Sequence, residues 1–323
     1  MSGQKIVVLG TGGTIAGTSA LAGDNIGYTA AQVGVADLLQ AVPALQTLPG
    51  CTLHTEQVAQ IDSKDMDESV WRTLALRCAH HLQDADVRAI VITHGTDTLE
   101  ETAWFLHQVL TADKPVVLTC AMRPATSLTP DGPQNLLDAV AVAMTAGARG
   151  VVAVAAGEIH GARGVQKMHP YRVNAFSSGD AGPLGFVEEG TVRLLGGWPS
   201  NMAQALSGKA FQAIERVAGP DQWPRVELVV SHAGARGALV DALVRDGAKG
   251  LVVACTGNGT VHHALEAALL RAQAAGVRVV RSTRCPLGQV LPKPGDALPD
   301  AAGLSPVKAR IALMLDLLCQ RAP

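Results

Sequence analysis

At four places in this chain of 323 residues, hydroxyl, carboxylate or amine side chains cluster in loops that break an apolar run. The first is IVVLGTGGTIAG, residues 6–17, where Thr11 and Thr14 stand among Gly10, Gly12, Gly13 and Gly17. A dinucleotide fingerprint needs Gly-x-Gly-x-x-Gly or Ala. Counted from Gly10 the sixth position is Ile15, whose branched side chain blocks the close helix packing of that motif. The glycines instead permit a sharp turn that exposes a threonine hydroxyl beside free amide N–H groups. On pattern alone, a structural turn and the seat of a nucleophile both stay open.

The second place is AIVITHGTDTLEETAWFL, residues 89–106. Thr98 with Glu101, or Asp97 with Glu100, fits a capping box, so part of the motif can simply start a helix. Capping leaves HGTDT itself unexplained. It puts Thr96, Thr98 and Asp97 at a strand end and a helix N-terminus, where a partial positive charge favours developing anions. A hydroxyl, a carboxylate and oriented amides are the parts that hold a polar substrate and polarise a carbonyl. The third place, TCAMRPATSLTPDGPQNLLDA (119–139), has Arg123 and Asp131 in a proline-rich loop, with Asp131-Gly132-Pro133 a turn into a helix. The fourth, AAGEIHGARGVQKMHPYRVNAF (155–176), places Lys167 in a stretch too irregular for helix or strand. A loop lysine is ordinarily solvated; buried beside Asp97 it becomes a general base or proton relay.

These loops need a scaffold, and the chain supplies a βα rhythm. The runs IVVL, AIVIT, PVVLT, VVAVA, VELVV, LVVAC and VRVV alternate with stretches such as DESVWRTLALRCAHHL, QNLLDAVAVAMTAG and VKARIALMLDLLCQ, which carry apolar residues at helical spacing. FVEEGTVRLL reads as a hairpin turning at Gly190. The expected fold is α/β. A larger N-terminal sheet, mixed but mostly parallel and flanked by helices, spans residues 1–195; a linker occupies 196–224; a smaller parallel α/β domain fills 225–323.

Composition narrows the partners. Hydrophobic residues make up 48% and charged residues 17%, and the net charge of −2 offers no basic surplus for a nucleic acid backbone. The six cysteines are widely spaced without a C-x-x-C and mostly lie in apolar runs, as buried thiols do. Neither His80-His81 nor His262-His263 can present an i, i+4 metal pair, so no metal is expected. Residues 1–5 lack the features of a secretory signal and no apolar run reaches about 18 residues, which together lead to an expected cytoplasmic location and no membrane association.

TGGTIAG, VITHGTDTLEET, AMRPATSLTPDGPQNL and GNG resemble, in order and context, the bacterial-type L-asparaginases and the related glutaminase-asparaginases. The similarity runs over nearly the whole chain and is weakest at 196–224 and 284–303. It implies a two-domain α/β amidohydrolase without cofactor that splits the side-chain amide of L-asparagine, with L-glutamine as an alternative substrate, into acid and ammonia. It further implies Thr14, under Tyr28, as primary nucleophile, with Thr96, Asp97 and Lys167 as a second catalytic group. Ser63, Lys64, Gly95, Thr96, Asp97 and the backbone of Ala121 are then the substrate contacts, with Asn258 reaching the site from another subunit of a homotetramer built as a dimer of dimers. Which threonine attacks is not fixed by sequence.

Two positions depart from the pattern of secreted members. Lys64 stands where they carry Gln or Glu to receive the substrate's α-ammonium, a like charge that opposes it unless the lysine points away or loses its proton. In RCPLGQVLPKPGDALPDAAG the acids are Asp296 and Asp300, and neither aligns with the glutamate that those enzymes lend to a neighbour. Both departures favour a cytoplasmic housekeeping amidase of modest affinity. Two further readings are an amidase subunit of a tRNA-dependent amidotransferase, which carries an extra N-terminal domain, and an amino-acid-binding homologue that is catalytically weak.

Overall fold

Every β-branched run singled out above becomes a strand in the computed structural model, which describes residues 4–21, 23–199 and 204–321. Two units separate, Met1–Gly208 and Lys209–Pro323. The first begins β1 (Gln4–Gly12), α1 (Val35–Gln40), α2 (Pro43–Gln46), β2 (Cys51–Ile61) and α3 (Glu68–Gln83). It continues β3 (Val87–Thr93), α4 (Leu99–Val109), β4 (Pro115–Thr119), α5 (Gly132–Met144) and β5 (Gly150–Ala155). Short strands β6 (Glu158–Gly161), β7 (Gln166–Lys167), β8 (Phe176–Ser177), β9 (Gly185–Glu188) and β10 (Thr191–Leu194) complete it.

Eight strands form one sheet in the order β10-β9-β6-β5-β4-β3-β1-β2. The five from β5 to β2 are parallel, and β6, β9 and β10 are joined antiparallel. β1, β3, β4 and β5 are buried along most of their length, which is why they read as continuous apolar runs. Ile6, Val8, Val91, Val117 and Val152 form one core with Leu136, Ala139, Val140 and Ala143 of α5. Strand β2, CTLHTEQVAQI, escaped sequence reading because it lies at the sheet edge and no residue in it is fully buried. The expected hairpin forms between β9 and β10, with positive φ at both Glu189 and Gly190 as a type I′ turn requires.

β1 lies between β2 and β3, so the chain leaves it first to one side and then to the other. This reversal opens a crevice beyond the carboxyl ends of these strands, where open α/β sheets hold their ligands. The loops following β2, β1, β3 and β4 therefore emerge side by side.

The second unit holds α6 (Gln204–Arg216, which straddles the division), β11 (Val226–Val230), α7 (Ala238–Arg245), β12 (Gly250–Cys255), α8 (His263–Ala274), β13 (Arg278–Thr283) and α9 (Pro306–Cys319). Its three strands are parallel in the order β11-β12-β13. Val229, Leu251, Val253 and Val279 pack with Leu265, Ala268 and Leu269 of α8. The stretch 196–224, read as a linker, carries helix α6 within it, and residues 200–203 of that stretch lie outside the described residues. Burial of the cysteines is less general than expected: Cys78, Cys120 and Cys255 are buried, whereas Cys285 and Cys319 are exposed.

Candidate active site

The β1 loop is shaped by two glycines that no other residue can replace without strain. Gly12 and Gly13 have φ of 101° and 84°, and a Cβ on Gly13 would lie 2.2 Å from the Cα of Gly95. A Cβ on Gly95 would in turn lie 2.4 Å from Ser63 Oγ. Backbone of the loops after β1 and β3 and the Ser63 side chain of the loop after β2 thus meet around Gly95. Thr14 and Thr96 each follow directly on one of these glycines.

The structure separates the two threonines of the first loop. Thr11 is buried and donates its hydroxyl hydrogen bond to the carbonyl of Thr93, inside the sheet end. Thr14, on the 3-10 turn Thr14–Ala16, has its Oγ1 2.7 Å from the hydroxyl of Tyr28. A bridge between Thr18 and Thr29 closes the neck of the segment that carries Tyr28. That segment is stitched to the β4 loop: the Ala125 N–H donates to the Gly17 carbonyl (3.0 Å) and the Ser19 N–H to Thr126 Oγ1 (2.9 Å).

After β3, His94 is wholly buried in a chain of hydrogen bonds. Its Nδ1 is 2.7 Å from the Gly95 carbonyl, its Nε2 is 2.8 Å from Thr102 Oγ1, and Trp71 Nε1 donates to that hydroxyl at 2.9 Å. A carbonyl only accepts, so Nδ1 carries the proton and Nε2 accepts from Thr102. Burial holds this imidazole neutral, with its pKa lowered to about 4. Next along the chain, Thr96 Oγ1 accepts from Lys167 Nζ (2.7 Å), which also donates to Asp97 Oδ1 at 2.6 Å. The lysine side chain is mostly buried, and it lies on β7, paired with β8, rather than in irregular chain.

Ser63 is 2% exposed; its Oγ accepts from the Asp97 N–H (3.1 Å), and its carbonyl accepts from the Thr98 hydroxyl (2.8 Å). The anticipated capping box is therefore not made. Thr98 spends its hydroxyl on Ser63, and Glu100 accepts from the main-chain N–H of Lys167. Lys64 is largely exposed and bridges Asp62 (3.2 Å) and Asp65 (2.9 Å). Hydrogen bonds donated to Asp65 and then Asp62 hold its ammonium above the ordinary lysine range, so it keeps its proton and is neutralised locally. In the β4 loop Ala121 is fully buried, while Asp131 accepts from the N–H groups of Met122 and Arg123, both at 2.9 Å. Arg123 donates to Thr129. Asp131 and Arg123 are loop staples.

Asn258 belongs to the second unit. Both ends of its amide are engaged there, Nδ2 donating to the Leu291 carbonyl (3.1 Å) and Oδ1 accepting from the Leu291 N–H (2.7 Å). Asp296 is paired with Arg281 and caps the Lys293 N–H, and Asp300 accepts from the Ala302 N–H. Among the described residues no group of three His, Cys, Asp or Glu could hold a metal ion, and no helix is long and apolar enough to cross a membrane. His94 and Glu100 are the two residues near the site whose roles sequence reading missed, although both lie within the quoted THGTDTLEET stretch.

Residues 5–199 match the asparaginase N-terminal domain, and residues 225–322 the glutaminase/asparaginase C-terminal domain. The chain is 37% identical over 319 residues to L-asparaginase 2 of Bacillus subtilis (strain 168), covering 97% of this chain and 82% of that one. It is 38% identical over 324 residues to a glutaminase-asparaginase of Pseudomonas fluorescens biotype A, covering 97% and 86%. The crystal structure of a probable cytoplasmic L-asparaginase from Campylobacter jejuni superposes with a TM-score of 0.89 at 37% identity, covering 97% of this chain and 95% of the other.

Proposed function

The chain belongs to the asparaginase family, and we propose that it hydrolyses the side-chain amide of L-asparagine to L-aspartate and ammonia through a threonine nucleophile. The observation that carries this is the meeting of Gly13, Gly95 and Ser63, which gathers the Thr14–Tyr28 pair and the Lys167–Thr96–Asp97 group at neighbouring strand ends.

In the proposed double displacement, Thr14 Oγ1 attacks the carboxamide carbon. The C–N bond breaks, and ammonia leaves with the hydroxyl proton, relayed through the neighbouring groups. A water then cleaves the β-aspartyl ester with help from Thr96, Lys167 and Asp97, returning the proton to Thr14. A threonine hydroxyl is a weak nucleophile, so the step needs a proton acceptor and donors for the developing oxyanion. The fold supports one such donor. His94 ties the Gly95 carbonyl inward, and in a planar trans peptide the Thr96 N–H then points the opposite way. Ser63, Lys64, Gly95, Asp97 and the Ala121 backbone are the proposed substrate contacts, with Asn258 supplied by a neighbouring subunit of a homotetramer. Asn258 must then exchange its Leu291 contacts for substrate or present them as a rigid turn.

Glutamine is the alternative substrate, because a relative of equal likeness is named glutaminase-asparaginase and one methylene alters binding by only about 1–3 kcal/mol. A cytoplasmic location is proposed from the likeness to the C. jejuni protein, and cell fractionation tests it. Ammonia release from asparagine and glutamine by the purified protein tests the activity. Trapping the acyl-enzyme in Thr96→Val and mapping the modified residue tests the nucleophile: label at Thr14 is expected, and label elsewhere overturns the assignment.

A further inference from the structure

Lys167 is asked to meet Thr96 and Asp97 across about 70 residues of chain, yet the strand that carries it is only two residues long. β7 pairs with β8 through Gln166 with Ser177 and Lys167 with Phe176, and just beyond it the Met168 and His169 N–H groups donate to the Ala175 carbonyl (2.7 and 3.2 Å). Isolated two-stranded hairpins are marginal, and all these bonds tie the lysine's main chain to one short strand, itself paired with no other strand among the described residues. The ammonium contacts do not fix it either. A flexible four-carbon stem lets Nζ hold its partners while the backbone shifts, and Asp97 has a side chain 54% exposed.

A further contact anchors the main chain from the side of α4. The main-chain N–H of Lys167 donates to Glu100 Oε2 at 2.8 Å. Glu100 is the second residue of α4, three positions beyond Asp97, so residues 96–100 grip Lys167 at both its ammonium and its backbone. A hydrogen bond to a carboxylate is among the stronger ones, and the first turn of a helix favours that negative charge.

We propose that Glu100 is a positioning residue for the Thr96–Lys167–Asp97 group: its carboxylate fixes the main chain of Lys167 so that the ammonium meets both partners in one geometry. The inference rests on Lys167 acting in turnover, as set out above. A misplacement of about 1 Å can cost on the order of 100-fold in rate, which sets the size of effect to look for.

A contrasting role for Glu100 is to stabilise the α4 N-terminus by its charge, and three variants separate the two. Glu100→Gln keeps the reach and an accepting oxygen but loses the charge. Glu100→Asp keeps the charge but falls a methylene short. Glu100→Ala loses both. Steady-state kinetics with asparagine should show kcat lowered about 10- to 100-fold in Glu100→Ala and Glu100→Asp, with KM within about threefold, and Glu100→Gln within about threefold of wild type. On a Lys167→Ala background, Glu100→Ala should add less than about twofold, because the group it positions is gone.

Wild-type kcat in Glu100→Asp, a loss in Glu100→Gln equal to that in Glu100→Ala, or full additivity with Lys167→Ala would each overturn the positioning role. Should Glu100→Ala fail to fold, the Gln and Asp variants still decide. If Lys167→Ala itself turns over normally, the catalytic role of Lys167 falls and the inference with it. An inactive Lys167→Ala beside an active Glu100→Ala overturns the inference alone.

Discussion

Two hydroxyls of the first loop look alike in sequence, but only Thr14 is held against another hydroxyl rather than spent on the sheet. Thr14→Val should therefore abolish turnover, by about 1,000-fold or more, and accumulate no acyl-enzyme. Thr11→Val should act on stability instead, through the lost bond to the Thr93 carbonyl. Urea unfolding beside single-turnover kinetics distinguishes the two. Lys64 is a second case where the partner decides the role. Its charge is neutralised by Asp62 and Asp65, so Lys64→Gln unmasks two carboxylates at the mouth of the proposed substrate site. The expected outcome is a KM for asparagine lowered a few-fold at low ionic strength, fading above about 0.5 M salt as screening shortens the range of the charges. A KM that rises on removing Lys64 would mean that the lysine contacts the substrate directly.

At the level of elements, the site depends on loops that approach more closely than side chains allow. Gly13→Ala must place a methyl against the Gly95 backbone at a φ of 84°, and Gly95→Ala must place one on Ser63. Both should destabilise the protein by about 1–3 kcal/mol and cut activity, whereas Gly219→Ala, with nothing within 4 Å, should stay within about 0.5 kcal/mol. Chemical denaturation measures the first effect and asparagine turnover the second; a Gly95→Ala variant as stable and active as Gly219→Ala would show that the loops do not need this contact. Asp131 is the side chain that ties the β4 loop to its own helix start. Asp131 receives two backbone N–H groups and Asn135 Nδ2, and the loop it holds is stitched to the segment carrying Tyr28. A fault at Asp131 therefore reaches Tyr28 without touching it.

For the molecule as a whole, His94 and Glu56 are the two groups with large shifts that contribute to its response to acid, one in a higher window than the other. His94 is held neutral to about pH 4 in the folded protein, while the unfolded chain takes up that proton below about 6.5. The unfolded state then binds more protons, so stability is full above pH 6.5 and declines as pH falls towards 4, by about 3 kcal/mol. Glu56, hydrogen-bonded first by Arg77 and also by His81, has its pKa lowered to about 2, so its contribution is lost only between about pH 4.5 and 2. Thermal melts against pH should show the upper decline flattened in His94→Asn, which keeps a donor near the Nδ1 position, with the lower one unchanged. A parallel loss of the whole acid profile in that variant would assign the upper window to another group.

The amino-acid sequence by itself determined the βα rhythm, the division into a larger and a smaller α/β part, and the membership that its threonine loops announce. Continuous apolar runs and glycine-rich turns are written in adjacent residues, and local patterns of that kind survive without knowledge of the fold. Edge strand β2, half-polar along its length, did not announce itself, and neither did the two-residue strand under Lys167. Tertiary structure alone decided that Thr11 faces the sheet and Thr14 faces Tyr28, that Glu100 leaves its helix cap to hold Lys167, and that Lys64 answers to two aspartates. The reason is strand order. With β1 set between β2 and β3, loops separated by up to about 80 residues emerge side by side, and which side chains then meet depends on register and close approach rather than on spacing along the chain.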